Sequence, residues 1–561
     1  MGARRAGPLP GDRHARQPLR HARPGRDGRC GARARRCARR RALARADRRA
    51  GLRQPCRSPR TSRARCSIDR PRGSKLYPSE ILHWIDDGEA ASSGGATFEK
   101  RSPIDDRVVA RVTRGAAADV ARAIDVATRA AETWARLPAP RRGDVLGRAA
   151  ALLRAKEQEL GEIVQVETGK PWKNAVAEVA SSADLGAFMD SEGSRFYGKT
   201  MTSPVPNRSV RTVRAPIGVC AAIMPFNSPL AGIAWKVFPA LLCGNAVVAK
   251  SHELTPYTAV AFGKLLRDAG LPRGVYSAVQ GLGPEVGMAL VRDERVGLVS
   301  FTGSVPTGKL IQKTVSERAV LAKVCLELGG KNPLVVCDDA DLTLAAEHAV
   351  ASAFIDAGQR CAAGSRLIVF DRVYDAFREA MLTRAAAVKV GSGPQDECGP
   401  VISRQSLERL LAAVDGAVQR GARLLAGGRA VDALAPGYYM APTVLEHVSP
   451  DDELSQQELF GPVTCLYRVK GFTDAIELAN GTAFGLTGAI HTSNSHRVEE
   501  FIARYRAGLV SINGPTYGAG PHMPFGGVKN SGNGFREPGT EALDVYCEWK
   551  TVVVNHDPAR V

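Results

Sequence analysis

The sequence predicts an α/β protein built on a parallel, doubly wound sheet, and two observations lead to that fold class. From residue 217 onward, short apolar runs alternate with helical stretches, as they do in βαβ units. Three of these helical stretches have a proline near the first position, where its missing N–H costs no hydrogen bond: Pro229, Pro256 and Pro284. Ligands of such sheets bind at the carboxyl ends of the strands, so functional residues are expected there.

Hydrophobic spacing predicts the elements in chain order. Residues 76–115 contain short apolar runs between turns and predict small strands. A helix follows, in which apolar residues recur at intervals of three and four: Val120, Ile124, Ala127, Ala131 and Trp134. A second helix from about residue 144 buries Val145, Ala149, Leu152 and Ile163. The strands of the sheet are expected at residues 217–224, 246–249, 275–279 and 296–301.

The alternation resumes after residue 327 and predicts a second α/β unit. It begins with a strand at residues 332–337, a helix at 345–354 and a strand at 367–370. Two further segments read as exposed strands, because residues 209–214 alternate polar and apolar side chains and residues 551–554 are apolar. Such strands pair with another edge, either in the same chain or in a second subunit.

The net charge of +20 belongs to the first 75 residues. They hold 24 Arg and one Lys against four Asp, whereas the rest of the chain carries 52 basic and 53 acidic side chains. A segment so poor in large apolar residues is expected to be disordered. A transit peptide and a nucleic-acid-binding arm are two interpretations of it, although no serine precedes Ser58. We favour a third, upstream GC-rich DNA translated from a start codon set too early, and expect no nucleic-acid partner.

Cysteine spacing and hydropathy limit the remaining classes. Eight of the 12 cysteines follow residue 75, without a C-x-x-C pair or a regular spacing. Neither a disulfide framework nor a metal site is therefore predicted, and a reducing, cytoplasmic location is expected. No run of 18 apolar residues occurs, so no membrane span is predicted.

Cys361 and Glu327 form the most informative pair in the chain. Cys361 lies in the run G-Q-R-C-A-A-G, whose small residues give little steric cover to a thiol. A cysteine attacks a carbonyl group as its thiolate. Glu327 lies 34 residues earlier in the run E-L-G-G-K. A carboxylate that reaches the thiol, or a water beside it, can act as a general base.

Three segments are candidates for binding a nucleotide. Residues 303–309 follow a strand and nearly match a P-loop, but Leu310 stands where a Ser or Thr would bind magnesium. The glycine-bounded helix start that remains can still favour an anion such as a pyrophosphate. The glycines of residues 281–287 are a weaker candidate, with tight turns as the alternative. Lys250 and Glu253 follow a strand and can bind ribose hydroxyls, or can simply begin a solvated helix.

Six motifs make residues 76–556 resemble the aldehyde dehydrogenase superfamily. They occur in the family's order and at about its spacing: MPFN at 224–227, FTGS at 301–304, ELGGK at 327–331, GQRC at 358–361, ELFGP at 458–462 and PFGG at 524–527. The resemblance implies a cofactor domain (residues 76–200 and 217–328), a catalytic domain (329–535) and a bridging segment (201–216 and 540–556). It also implies a homodimer or homotetramer and no metal.

The same resemblance implies roles for five residues of the reaction. Cys361 matches the nucleophile, Glu327 the general base, and Asn227 the side chain that stabilises the oxyanion together with the Cys361 backbone N–H. Lys236 and Glu537 match a pair proposed to pass the proton of the base outward. Residues 534–537 carry one residue more than the commoner form of that segment.

The implied cofactor is NAD, with NADP as an alternative. The residues that match cofactor-binding positions of the family are Met224, Phe226, Lys250, Glu253, Gly283, Ser304, Glu458 and Phe460. Because a 2′-phosphate would face the carboxylate of Glu253, we expect a preference for NAD.

For the substrate, the resemblance implies a small aldehyde or semialdehyde. Trp235 matches the wall of the family's substrate tunnel, and Tyr517 and Phe525 are expected at its mouth. Arg195 lies in a segment resembling that of semialdehyde dehydrogenases whose arginine meets a substrate carboxylate, and a structural role is the alternative. The end of the chain also resembles that of oxo-acid semialdehyde enzymes.

The implied reaction is oxidation of an aldehyde to an acid through a Cys361 thiohemiacetal and thioester, with Glu327 activating the hydrolytic water. Two other classes stay open at this point. A coenzyme-A-acylating enzyme would pass the thioester to a thiol, and a catalytically silent relative would serve as a structural protein.

Overall fold

A computed structural model describes residues 76–560 of the chain. The predicted disorder and the proposed mistaken start of residues 1–75 lie outside the described residues. No helix within residues 76–560 is long and apolar enough to cross a membrane.

Five short strands and four helices begin the described chain. The strands are β1 (Glu80–Ile81), β2 (His83–Ile85), β3 (Gly88–Ala90), β4 (Thr97–Arg101) and β5 (Val108–Thr113). The helices are α1 (Ala117–Arg136), α2 (Ala139–Ala155), α3 (Glu157–Thr168) and α4 (Trp172–Gly193). Helix α1 buries all five apolar residues that its spacing predicted. The prediction of one helix from residue 144 was wrong, because the chain leaves helical geometry at Lys156 and Leu153 is buried instead of Leu152.

The first large sheet follows the predicted alternation. Its region contains β6 (Thr200–Met201), β7 (Arg208–Pro216), β8 (Val219–Ile223), α5 (Pro229–Leu242), β9 (Ala246–Lys250), α6 (Pro256–Asp268), β10 (Tyr276–Val279), α7 (Met288–Arg292), β11 (Val296–Gly303), α8 (Val305–Ser316) and β12 (Lys323–Leu328). Strands β12-β11-β8-β9-β10 are parallel in that order, and β2 and β3 extend the sheet as an antiparallel edge. Pro229 and Pro256 begin α5 and α6, whereas Pro284 begins only a short helical turn before α7.

The second large sheet takes up most of the remaining chain. Its region contains β13 (Asn332–Val336), α9 (Leu342–Phe354), β14 (Gly364–Phe370), α10 (Tyr374–Ala386), α11 (Arg404–Gln419), β15 (Arg423–Ala426), β16 (Thr443–Glu446), α12 (Glu453–Gln456), β17 (Val463–Val469), α13 (Phe472–Asn480), β18 (Phe484–Gly485), β19 (Thr487–His491), α14 (Ser495–Arg504), β20 (Leu509–Ile512), β21 (Val528–Lys529), α15 (Ala542–Val545) and β22 (Cys547–Asn555). The strand order is β15-β16-β17-β14-β13-β19-β20, parallel except at β15.

Both faces of this second sheet are covered, as parallel sheets require. Successive residues of β14 point to opposite sides. Leu367 and Val369 pack into the apolar core that contains α9 and α10. Ile368 and Phe370 pack into the core that contains α11 and α13. The doubly wound α/β architecture predicted from the sequence is confirmed.

The two segments predicted to be exposed strands pair with each other. Strands β7 and β22 form an antiparallel ladder of nine residue pairs, and β6 adds to the other side of β7. The ladder leaves large apolar side chains exposed, among them Trp549 and Val553 at 45% and 50% of their surface.

Candidate active site

A cleft of about 600 Å³ opens at the carboxyl ends of β8, β9, β11 and β12. Every residue predicted to bind a cofactor lines it: Met224, Phe226, Lys250, Glu253, Gly283, Ser304, Glu458 and Phe460. Asn227 and Cys361 line the same cleft. The fold thus brings residues from both large sheets around one cavity, and its volume suits an extended organic ligand.

The Cys361 loop is held in an unusual backbone conformation. After α9, three successive residues have positive φ: Asp356 (56°), Ala357 (55°) and Gly358 (63°). Side chains other than glycine rarely adopt this region, and such strain clusters at functional sites. The Asn332 Nδ2 donates to the backbone carbonyls of Cys361 at 2.7 Å and Ala363 at 2.9 Å. These bonds fix the loop against the start of β13.

The Cys361 thiol is half-buried and protonated at neutral pH in this arrangement. Burial, together with the nearby carboxylates of Glu458 and Glu327, raises its pKa to about 12. A thiol must lose its proton to become a nucleophile. The thiol must therefore pass its proton to a water or a carboxylate when the substrate is attacked.

Glu327 is a buried carboxylate without a hydrogen-bond partner among the described residues. It lies next to the end of β12 and exposes 5% of its surface, and both carboxylate oxygens lack a partner. Burial raises its pKa well above the ordinary value, Glu537 raises it further, and Lys236 and Arg536 act in the opposite direction. Gly526 makes room for the carboxylate, because a Cβ there would lie 2.6 Å from Oε1. An unpaired carboxylate of raised pKa is suited to accept and return a proton.

Asn227 lies in the loop between β8 and α5, and a buried ion pair fixes this loop. The Lys170 Nζ donates to the Asn227 carbonyl oxygen at 2.8 Å and to the Glu178 carboxylate at 2.6 Å. The other Glu178 oxygen accepts from the backbone N–H groups of Leu230 and Ala231 in the first turn of α5. This network ties the Asn227 loop to helix α4.

Lys170 and Glu178 were not predicted from the sequence. The available signal was a glutamate on the apolar face of α4, one turn from Ala175 and Ser182, both of which are buried. A charged residue in that position needs a partner, because burying an unpaired charge is costly. Its partner, eight residues earlier, could have been guessed, but the contact with Asn227 could not.

The far end of the cleft presents a donor and an acceptor side by side. Lys250 Nζ lies 2.7 Å from Glu253 Oε2. Burial opposes ionisation of Glu253, but His252 and Lys250 lower its pKa to about 2, so it is a carboxylate at neutral pH. Such a pair can bind the hydroxyls of a ribose. Ser304 lies at the start of α8, where free N–H groups favour a pyrophosphate.

The near end of the cleft is shaped by Glu458 and Phe460. Glu458 Oε1 accepts from the Gly330 N–H at 3.0 Å, and a Cβ at Gly329 would overlap the Glu458 carboxylate. Burial raises the Glu458 pKa to about 7. The ring of Phe460 meets that of Phe226 edge to face at 5.5 Å. The lining fits a dinucleotide, because residues suited to a ribose, to phosphates and to an aromatic ring follow one another along the cleft.

Lys236 and Glu537 form a buried ion pair behind the site. Lys236 Nζ lies 2.8 Å from Glu537 Oε2 and donates to Ser300 Oγ at 2.8 Å. The Tyr546 hydroxyl donates to the other Glu537 oxygen. Burial disfavours the ammonium of Lys236, but Glu537 outweighs it and raises the pKa. The extra residue in the segment 534–537 thus leaves Glu537 able to reach Lys236.

The residues predicted to contact substrate are not among those lining the cleft. Trp235 and Phe525 meet edge to face at 5.4 Å. The Arg360 guanidinium lies over the Tyr517 ring at 3.9 Å. Arg195 Nε donates to Glu192 at 2.8 Å, and the half-exposed guanidinium also binds Ser191. These contacts are compatible with the structural alternative for Arg195.

Comparisons with known proteins agree with this architecture. The model of the Aldehyde dehydrogenase family matches residues 90–552. The chain is 39% identical over 481 residues to a 2,5-dioxopentanoate dehydrogenase of Saccharolobus solfataricus, a match that covers 85% of this chain and 99% of that protein. It is 37% identical over 468 residues to a betaine aldehyde dehydrogenase of Bacillus subtilis, covering 82% and 94%. A solved structure of betaine aldehyde dehydrogenase from Staphylococcus aureus in complex with NAD+ has a TM-score of 0.82 at 32% identity, covering 85% and 95%.

Proposed function

The chain belongs to the aldehyde dehydrogenase family and oxidises aldehydes with NAD, and we propose that Cys361 is the nucleophile and Glu327 the general base of this reaction. One observation carries the proposal. The half-buried Cys361 thiol lines the cleft that fits a dinucleotide. The buried Glu327 carboxylate, which has no hydrogen-bond partner within residues 76–560, lies near enough to raise the pKa of that thiol.

The proposed reaction uses the residues of this chain in order. The Cys361 thiol gives its proton to a water beside it, its Sγ adds to the aldehyde carbon, and Asn227 with the Cys361 backbone N–H stabilises the alkoxide that forms. Placed donors of this kind are worth about 10²–10³ in rate. The alkoxide then collapses, so that a hydride leaves the carbon and a thioester with Cys361 remains. Glu327 takes a proton from a second water, which hydrolyses the thioester and frees the acid. Lys236 and Glu537 are proposed to carry that proton away from Glu327.

Residues along the cleft would hold NAD in a defined direction. Lys250 and Glu253 would bind the adenosine ribose, and Gly283 and Ser304 the adenine and pyrophosphate side. Glu458 and Phe460 would position the nicotinamide end, with Met224 and Phe226 on the same wall. NAD, when bound, accepts the hydride that leaves the substrate carbon.

We propose a 2-oxo-acid semialdehyde as the substrate. The support is the similarity to a 2,5-dioxopentanoate dehydrogenase, of which the match covers 99%. Trp235, Tyr517 and Phe525 are proposed to line the approach to Cys361. Similarity to a betaine aldehyde dehydrogenase marks the competing class, whose substrate carries a positive charge instead of a carboxylate.

The test is a rate comparison on purified protein with NAD. The substrates are 2,5-dioxopentanoate, succinate semialdehyde, betaine aldehyde and an uncharged aldehyde of similar length. We expect the highest kcat/KM with 2,5-dioxopentanoate, and a higher value with betaine aldehyde would reverse the substrate proposal. Cys361→Ala should abolish turnover on every substrate, with Cys398→Ala, at another buried cysteine, as control. Turnover of Cys361→Ala within about tenfold of wild type, ~1.4 kcal/mol in barrier, would rule out Cys361 as nucleophile.

We also propose a cytoplasmic homodimer or homotetramer. The support for an assembly is the ladder of β7 and β22, in which β22 pairs on one side only among the described residues and exposes Trp549, Val553 and Val554. Exposed strands with apolar side chains are ready-made sites of association. Light scattering of wild type and of a Trp549→Glu, Val553→Glu double variant measures the state. A wild-type monomer would contradict the proposal.

A further inference from the structure

Two thiols that the proposed reaction does not use lie on two contacting segments at the base of the β7–β22 ladder. Cys243 follows α5, and Cys547 is the first residue of β22. The Cys243 Sγ approaches the Leu543 carbonyl oxygen at 3.6 Å, and the Asn245 Nδ2 donates to the Tyr546 carbonyl at 2.7 Å. Residues 243–245 thus pack directly on residues 543–547. Within this contact the thiols of Cys243 and Cys547 are near enough to shift each other's pKa, and both are free thiols.

A fixed cation lies beside one sulfur of this pair. The Arg214 Nη1 is 3.1 Å from Cys547 Sγ. Arg214 cannot easily turn away, because the same nitrogen binds Asp544 at 2.6 Å and the guanidinium lies over the Trp549 ring at 4.3 Å. A guanidinium in contact with a sulfur stabilises the thiolate, which is the reactive form of cysteine.

The thiol of Cys547 is set apart from the other described cysteines. The hydrogen bond from Cys243, helped by Arg214 and opposed by burial, lowers its pKa to about 7. Burial raises the pKa of each of the other seven described cysteines: Cys220, Cys243, Cys325, Cys337, Cys361, Cys398 and Cys465. At neutral pH, Cys547 therefore has the largest thiolate fraction among residues 76–560.

We propose that Cys547 and Cys243 are a reversible oxidation site, which a hydroperoxide converts to a disulfide. The Cys547 thiolate attacks one peroxide oxygen, so that an S–O bond forms as the O–O bond breaks. With hydrogen peroxide, the leaving hydroxide takes up a proton as water. The Cys243 sulfur then attacks the sulfenic sulfur of Cys547, the S–S bond forms, and a second water leaves. Two thiols are oxidised and one peroxide is reduced to two waters.

The disulfide would join two parts of the chain that also meet behind the active site. Cys243 follows the helix that carries Lys236, and Cys547 follows Tyr546, whose hydroxyl donates to Glu537. Lys236 and Glu537 are the buried ion pair behind Glu327. Oxidation would thus lock the end of α5 to the start of β22 at the place where this ion pair is held.

Peptide mapping tests the proposal. Purified full-length protein is treated with hydrogen peroxide near one equivalent, its free thiols are alkylated, and it is digested without reductant. We expect a cross-linked peptide pair containing residues 243 and 547 that dithiothreitol separates. Cys243→Ala and Cys547→Ala should each remove it, and Cys220→Ala, at a buried cysteine in β8, should leave it unchanged. A Cys361→Ser background keeps the proposed nucleophile from consuming peroxide.

The rate of cross-linking tests the role of Arg214. Cross-linking should reach half of its maximal rate at a pH near the Cys547 pKa of about 7. Arg214→Gln should move that midpoint to higher pH, and a shift of one pKa unit would slow cross-linking about fivefold at pH 7. Circular dichroism and the melting temperature report whether Arg214→Gln is folded. Absence of the 243–547 peptide while other cysteines oxidise, or pairing of Cys547 with another subunit, would overturn the proposal. Neither outcome bears on Cys361 as the nucleophile, which is tested by turnover.

Discussion

The Lys170 ammonium donates to the backbone carbonyl of Asn227 at 2.8 Å, so its ion pair with Glu178 of helix α4 fixes the loop of the proposed oxyanion donor. Lys170 also interacts electrostatically with the loop that precedes Cys361. Burial disfavours its ammonium form, but Glu178 and Asp356 outweigh burial and raise its pKa. Asp356 is the first of the three residues of positive φ before Cys361. One buried cation thus adjoins both loops that the reaction needs.

Lys170→Met should therefore lower kcat by about 10- to 100-fold, because a small misplacement of a catalytic group costs up to about 10² in rate. NAD affinity should change little, since Lys170 does not line the cleft. The control is Lys173→Met, at an exposed lysine in the first turn of α4 and three residues after Lys170. Titration with NAD and steady-state kinetics separate the two effects, and an equal loss of NAD binding would mean that Lys170 supports the fold in general.

Glu327→Gln should separate the two halves of the proposed reaction. Formation of the thioester releases NADH without Glu327 as base, whereas hydrolysis needs it. We expect a pre-steady-state burst of NADH of about one equivalent per active site, followed by slow turnover. Stopped-flow absorbance measures both phases. If burst and steady state fall by the same factor, Glu327 acts before the thioester forms.

The raised pKa of Glu327 also predicts how stability varies with pH. Burial favours the neutral form in the folded state, so its stabilising contribution is complete below the ordinary carboxyl pKa of ~4.3 and is lost as pH rises toward the folded value. Each unit of pH in that range costs the wild type ~1.4 kcal/mol. Glu327→Gln stays neutral, so its melting temperature should exceed that of wild type by an amount that grows from about pH 5 upward. Glu317→Gln, at an exposed glutamate, should show no such trend.

Glu253 should make the enzyme prefer NAD to NADP. Its low pKa leaves a carboxylate where the ribose is proposed to bind, and a 2′-phosphate there would be repelled. Lys250 offsets part of this repulsion, so a preference is expected and not exclusion. Glu253→Ser should reduce the ratio of kcat/KM with NAD to kcat/KM with NADP. A wild-type enzyme with higher kcat/KM for NADP would mean that Glu253 turns away from the ribose.

Arg195→Ala tests whether that arginine meets the substrate carboxylate. If it does, KM for 2,5-dioxopentanoate should rise about 10- to 100-fold, the value of a charge-assisted hydrogen bond, with no change for an uncharged aldehyde. Arg141→Ala, at another exposed arginine paired three residues away, is the matched control. Equal effects on both aldehydes would mean that Arg195 has a structural role through its ion pair with Glu192.

Local signals explain what could be predicted from the sequence. The strands β8, β9 and β11 are continuous apolar runs, and a proline opens α5 and α6, so their positions follow from short segments. Distant pairing was not predictable in this way. Strand β2 joins the far edge of the sheet, where Trp84 pairs with Ala278 from almost two hundred residues later. Neither segment carries a sequence signal that identifies the other as its partner.

The site shows the same division. Cys361, Glu327 and Asn227 lie in recognisable motifs, whereas the burial that raises the pKa of Cys361 and Glu327 depends on the folded surroundings. The bond from Lys170 to Asn227 spans 57 residues and joins a side chain to a carbonyl, which any residue could supply. The proximity of Cys243 to residue 547 likewise cannot be predicted until the positions of both segments in the fold are known.

The pairing of β7 with β22 has a consequence for synthesis on the ribosome. Strand β7 ends at Pro216 and its partner begins at Cys547, so roughly 330 residues must still be made after β7 emerges. At about 5–20 residues per second, the nascent chain carries an unpaired β7 edge for on the order of 15–70 s. Arg208, Arg211 and Arg214 recur along that strand, and charged side chains discourage pairing with other chains. The arginines of β7 would thus protect the nascent strand from association with other chains until β22 has been synthesised and pairs with it.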